Sequence, residues 1–408
     1  MKGVLKTNKL STWLPDAGIV MCAFSLSMPT FYFNMFMTIA VLLRLLYFDK
    51  ERIRYILKTS FFKVLLASVL LILVGLCYTE YGNFDVAFTL MARRIPFLLF
   101  PFLLIGLRKR SINLVKLSFI AGVVIGAIIC LIGVELTPGV YGHIKQIYIS
   151  NWYWSDIILN PIDKHPSFFA MYSLLSFFIA LEFLLSSNNY IKKACLALLM
   201  LIFIGIILTL EARLVLLVFP VSLFIYIVVS TKKFIVGIVF LFSSIVIGTI
   251  YFVYHPARFH NIRILKLSAD SGIRWKIYKS ALSVIAEAPI LGVGSGDLQV
   301  ELNKEYNKNS YDRVFNYNCH NQFLEEWARG GVLSLVLPLF LFVLMLKKAK
   351  NKDCPISFVF IFSTFVFFLV ESVLNRQQGI TYFIFFSALF YFQDEDARFL
   401  KSSFKHAP

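Results

Sequence analysis

The chain has 408 residues, of which 59% are hydrophobic and 15% charged, with a formal net charge of +17. Soluble globular domains run nearer half apolar and a quarter charged, so a water-soluble globule is excluded. In a membrane protein the positive charge first reports sidedness, and no nucleic-acid partner is expected.

Taken in order, apolar runs recur at roughly 17–29, 31–48, 62–78, 86–107, 112–134, 166–187, 191–210, 213–230, 234–254, 332–346, 356–374 and 379–393. About 20 apolar residues cross the hydrocarbon core as a helix. The reading is an all-α fold, a polytopic transmembrane helical bundle of about 12 spans (10–12), with one large helical outer loop. Three blocks follow: 1–254 with about nine spans and a small outer loop at 135–164, the large loop 255–331, and 332–408 with about three spans and a tail. Ser11 to Ala17 is polar, lacks a small-residue cleavage pattern and feeds into the first run, so no cleavable signal peptide is expected.

Basic clusters fall on every second loop: Lys2, Lys6 and Lys9; Lys50 to Lys58; Arg108 to Arg110; Lys192 and Lys193; Lys232 and Lys233; Lys347 to Lys352; and Arg398 to Lys405. The positive-inside rule then places both termini in the cytoplasm and both 135–164 and 255–331 outside. The smaller outer loop carries Tyr148, Trp152, Tyr153 and Trp154. Such rings suit the membrane interface, with a sugar-stacking platform as the alternative. No internal repeat is visible, which argues against a duplicated transporter. The six cysteines have no metal-ligand spacing.

The stretch His255–Gly331 holds ten of the forty Lys and Arg residues and three of the six His. Within it, Gly272–Ala288 has helical periodicity, with Ile277, Tyr278, Ala281, Leu282 and Ile285 on one face and Lys276, Lys279, Ser283 and Glu287 on another. Arg274 falls toward the packed face, where it needs an anionic substrate group or a structural carboxylate. Asn318 can cap a helix running to Arg329, with His320, Phe323, Leu324, Trp327 and Gly331 on one face and Glu325, Glu326 and Arg329 on the other. A His in a first helical turn stays neutral and can act as a general base; the bland alternative is a core residue. Arg213 sits at a membrane boundary beside Glu211, a possible partner. Arg93 and Arg94 interrupt the run at 86–107 and either face a cavity or, as the favoured reading, snorkel to the interface.

Gly292, Gly294 and Gly296 lack a following Lys-Ser/Thr and a preceding strand, so they read as a tight turn after a helix ending near Ala288-Pro289. His143, His165, His255, His260 and His320 contain no i, i+4 pair, so a zinc site is not expected.

Four segments together resemble the bacterial O-antigen ligase and O-antigen polymerase superfamily of membrane glycosyltransferases. They are Leu208-Thr209-Leu210-Glu211-Ala212-Arg213; Ser271-Gly272-Ile273-Arg274-Trp275 with Ala288 through Gly296; Cys319-His320-Asn321-Gln322-Phe323-Leu324 through Gly330-Gly331-Val332; and His165-Pro166-Ser167. The first departs from the family's usual Ser-Arg by carrying Ala212 before Arg213.

The resemblance implies glycan transfer from undecaprenyl diphosphate to a hydroxyl at the bacterial inner membrane, with a periplasmic site and without metal or cofactor. Lipid A–core is the expected acceptor, making the chain a ligase. A polymerase joining lipid-linked repeats is the alternative, and a flippase or other transporter is a further one. By resemblance His320 is the base, Arg213 and Arg274 hold the diphosphate, and Asn321 and His165 contact substrate. Glu371, Asn375, Arg376 and Gln377 form a polar group at the outer end of the penultimate run. Among them, Glu371 and Arg376 are candidate acceptor or diphosphate contacts, or else interfacial residues.

Overall fold

A computed structural model describes residues 9–46, 50–136, 159–210, 212–254, 267–351 and 354–393. The aromatic loop at 148–154, His143, His255, His260, Glu211 and the outermost termini lie outside them. All regular structure among the described residues is helical. The α-helices in chain order are α1 (Lys9–Ser25), α2 (Thr30–Leu46), α3 (Lys50–Lys58), α4 (Ser60–Leu76), α5 (Phe84–Leu104), α6 (Lys109–Leu136), α7 (Pro166–Ser186) and α8 (Tyr190–Thr209). They continue with α9 (Arg213–Thr231), α10 (Phe234–Tyr254), α11 (Leu267–Glu287), α12 (Leu298–Lys308), α13 (Gln322–Lys350), α14 (Pro355–Val370) and α15 (Gln377–Phe392).

Among the described residues six helices, α5 to α9 and α13, are long and apolar enough to cross a membrane. That is half the twelve runs expected. Of the other apolar helices, α4 has 17 residues and α14 has 16. At 1.5 Å per residue, 17 residues span about 26 Å, short of the roughly 30 Å hydrocarbon core.

The chain divides into two compact units. The first comprises 1–57, 99–219 and 384–408. Its core is aromatic, with Phe100 edge-on to Phe385 and Phe119 against both Tyr172 and Phe386. Polar groups inside it are paired: Asp16 accepts from Ser111 Oγ at 2.5 Å, and Lys116 Nζ lies 2.6 Å from Glu182 Oε2. Helix α7 is its most enclosed span, 78% buried.

The second unit comprises 58–98 and 220–383. Helices α11 and α12 share an apolar core of Ile277, Ala281, Val284, Ile285, Leu298, Leu302 and Tyr306, completed by Val314, Cys319 and Ala328. The buried stripe on α11 recurs at 277, 281 and 284–285, so Leu282, expected on it, is 48% exposed. Helix α13 in turn packs on α4, α11 and α14.

The glycine turn after α11 is bonded to a kink in α13. Gly292 and Gly294 have φ of +71° and +113°, and the α13 kink lies at Gly330 and Gly331, the latter at φ +73°. The amides of Val293 and Gly294 donate to the carbonyls of Ala328 and Arg329 at 2.9 and 3.1 Å, and Val332 N donates to Pro289 O at 3.1 Å. Carbonyls that the helix would leave orphaned are thereby satisfied. The turn also rests on α4, where Ser295 Oγ donates to Ile72 O at 2.7 Å.

Gly331 has no room for a side chain, because an added Cβ would overlap Ile290 O. Gly205 in α8 faces open space. Gly331→Ala is therefore expected to destabilise the protein by on the order of 2–4 kcal/mol. Gly205→Ala should be neutral or stabilising by up to about 1 kcal/mol. Unfolding in detergent micelles checks both; equal stability of the two variants would refute the packed kink.

Candidate functional site

The site is built around residues 318–329, and its chemistry rests on a hydrogen-bonded turn. Asn318 accepts from His320 N at 3.0 Å, forming a local turn rather than a helix cap. The cap of α13 is Asn321, whose Oδ1 accepts from Phe323 N and Leu324 N at 2.9 and 3.1 Å. The helix thus starts three residues later than expected, because two asparagines could cap it and the first is taken by the turn. His320 stands before the cap, with φ +44°, a left-handed conformation uncommon for residues other than glycine. Three further bonds hold it. Cys319 N donates to Glu325 Oε2 at 3.0 Å, Tyr278 OH to His320 O at 3.4 Å, and Asn321 Nδ2 to Leu369 O at 3.0 Å.

This backbone sets the His320 imidazole against the end of α14. Its Nδ1 lies 3.4 Å from Glu371 Oε2, with both side chains partly exposed. Arg274 donates from Nη1 to Val370 O at 3.2 Å. Its side chain is exposed rather than packed, because it precedes the buried stripe of α11, which begins at Ile277. The structure therefore brings His320, Asn321, Arg274 and Glu371 to one junction of α11, α13 and α14. Arg376 lies a few residues on; its carbonyl accepts from Gly379 N and Ile380 N at 3.0 Å each, and its side chain is exposed.

His165 and Arg213 belong to the other unit. His165 caps α7, with its Nδ1 accepting from Ser167 N at 3.4 Å. Arg213 opens α9 and is half-buried.

Glu325, Glu326 and Arg329, on the helix face opposite His320, are buried. Glu325 Oε1 pairs with Arg329 Nη2 at 2.5 Å and accepts from Asn375 Nδ2 at 2.6 Å, while Oε2 accepts from Ser372 Oγ at 3.1 Å. Glu326 pairs with Arg94 and accepts from Gln322 Nε2 at 2.7 Å, and Gln322 Oε1 accepts from Leu374 N at 2.6 Å. Arg94 is thus fully buried in an ion pair, not directed to the interface. Arg93 donates to Asn375 O at 2.7 Å and lines a cavity of about 480 Å³ with Arg329, Ser295 and Asn375.

A further carboxylate, Asp297 before α12, ties the glycine turn to the α4–α5 connection. Asp297 Oδ2 accepts from Glu80 N at 3.0 Å and Oδ1 from Asn83 Nδ2 at 2.6 Å. Cys319 is buried, and that burial together with Glu325 raises its thiol well above the ordinary range, so it is an inert core residue. Among the described residues no group of three or more His, Cys, Asp and Glu side chains could hold a metal ion.

Residues 197–339 match the family described as O-antigen ligase. The match includes Arg213, Arg274, His320 and Asn321, but not His165, Glu371 or Arg376. The chain is also 29% identical over 133 residues to an uncharacterized protein of Haemophilus influenzae, covering 30% of this chain and 33% of that protein. It thus spans about a third of that relative's length.

The buried pair gives the sharpest stability test here. Arg94→Met alone leaves Glu326 uncompensated and should cost about 3–5 kcal/mol, whereas a double change with Glu326→Leu should recover most of the loss. Chemical unfolding of the purified protein measures both. A single variant as stable as the parent would show the pair to be unimportant.

Proposed function

We propose that this chain, which belongs to the O-antigen ligase superfamily through residues 197–339, moves a glycan from undecaprenyl diphosphate to lipid A–core. The observation that supports it is the junction where the His320 imidazole, the Glu371 carboxylate and the Arg274 guanidinium gather within matched and adjoining segments. Helix ends that the charge pattern assigns to the outer side also come together in this unit, as Asp297 on Asn83 and Glu325 on Asn375. That supports a periplasmic site in the inner membrane with both termini in the cytoplasm.

In this reading the acceptor hydroxyl attacks the anomeric carbon as the bond to the diphosphate oxygen breaks, with inversion. His320 takes the hydroxyl proton through Nε2 while Glu371, beside Nδ1, orients the ring and stabilises the imidazolium. Arg274 neutralises charge building on the departing diphosphate, a task suited to a permanently charged bidentate group. Asn321 keeps the base in place through its cap, with Arg376 as a further substrate contact. Proton transfer and phosphate stabilisation supply the chemistry from side chains alone, so the reaction is proposed to need no metal. A polymerase would use the same junction with a lipid-linked repeat as acceptor.

His320→Ala should lower transfer by the purified protein at least about 100-fold with lipid-diphosphate binding near normal. Glu371→Gln should lower kcat roughly tenfold with little change in KM. Comparable rates in the His320 variant would refute the base assignment. In cells, deletion should leave lipopolysaccharide without O-antigen while polymer accumulates on its carrier; a core bearing one repeat would instead indicate the polymerase.

A further inference from the structure

Helix α11 carries a second stripe, opposite the one it buries in its own core. Trp275, Lys279, Leu282 and Ala286 recur at helical spacing and are exposed, Trp275 to 66%. The apolar exposure continues past the helix end into Ile290 and Leu291, at 70% and 61%. A contiguous row of large exposed apolar side chains marks an interaction surface.

What the stripe meets follows from where the helix is tied. At its end, Val332 N donates to Pro289 O at 3.1 Å, and Tyr78, just past α4, donates from its hydroxyl to Leu291 O at 2.5 Å. Val332 opens the apolar half of α13, a helix of membrane-spanning length whose exposed row continues through Val336, Phe340 and Val343. At the other end of α11, Arg274 Nη1 donates to Val370 O at 3.2 Å, at the close of α14. Helices α13 and α14 pack together with only the four residues 351–354 between them, so they run antiparallel. Val332 and Val370 therefore stand at the same end of the pair. Pinned at both places, the stretch from Arg274 to Glu287, about 20 Å long, runs along the membrane surface and not into it.

We propose that α11 is an interfacial helix whose exposed stripe, with Ile290 and Leu291, inserts into the lipid leaflet beside the His320 junction. A helix lying in that plane sinks its apolar face about 5–10 Å, to the boundary of headgroups and acyl chains. The side chains suit that depth. The Trp275 indole fits the headgroup level, and Lys279 can reach lipid phosphate with its ammonium while its stem stays among apolar groups. Ile290 and Leu291 join the stripe to the exposed row of α13. On the glycosyl-transfer reading, this holds Arg274 at the depth where the diphosphate of a lipid-anchored donor lies.

Spin labels read the depth directly. The full-length protein, with Cys77, Cys195 and Cys354 changed to Ser, takes one label at a time at Leu282→Cys or Ala286→Cys. Val336→Cys on the exposed row of α13 serves as the lipid control, and Lys304→Cys on the exposed side of α12 as the water control. In phosphatidylethanolamine–phosphatidylglycerol vesicles, labels at 282 and 286 should collide with oxygen in preference to a water-soluble nickel chelate. Their ratio should be severalfold above that at 304 and close to that at 336. Collisions dominated by the chelate would overturn the proposal by placing the stripe in water. Low collision with both reagents would also overturn it, because a second copy or another protein would then cover the stripe. Neither reagent reports on glycan transfer, so a protein inactive in transfer with labels at lipid depth would refute the function and leave this assignment standing.

Discussion

Two adjacent buried carboxylates, Glu325 and Glu326, are the constraint on which the second unit depends. A buried carboxylate is costly unless paired and hydrogen-bonded, and each of these has both. Glu326 draws Arg94 of α5 and, through Gln322, the amide of Leu374 into one point. Glu325 draws Arg329, Asn375, Ser372 and the amide of Cys319 into another. Segments nearly 300 residues apart are thereby fixed to the first two turns of one helix. Hydrophobic packing brings such segments together without a preferred register, whereas the bonds to Glu325 admit one arrangement of the His320 turn.

That arrangement is under modest strain. A left-handed His320 costs on the order of 1 kcal/mol, sustained by the hydrogen bonds on both sides of it. In return the imidazole meets Glu371 and not the interior of α13. The glycine turn and the α13 kink do a related job, because Gly331 lets the helix redirect after Arg329 while the amides of residues 293 and 294 satisfy its last carbonyls. The first turns of α13 are thus set off from its long apolar half by a backbone joint.

Sequence alone disclosed the apolar runs, the glycine turn after α11 and the break around Glu371, since each rests on local composition. Three features escaped it for physical reasons. The burial of Glu325, Glu326 and Arg329 is not legible in the sequence, because periodicity separates polar from apolar, not exposed from buried. Arg94 read as snorkelling because its partner Glu326 lies 232 positions away. The start of α13 was misplaced because Asn318 and Asn321 have equal capping chemistry, and only the fold shows that one serves the His320 turn. An Arg within an apolar run does demand an acid somewhere, and the paired Glu residues beside the His-Asn motif were the available signal.

If the buried carboxylates build the site, loosening one should free the His320 turn before it frees the helix behind it. Hydrogen–deuterium exchange on full-length Glu325→Gln tests this. The account predicts faster exchange for residues 319–324, led by the Cys319 amide, with 335–350 protected as in the parent. Unchanged protection of the Cys319 amide and its neighbours would contradict it.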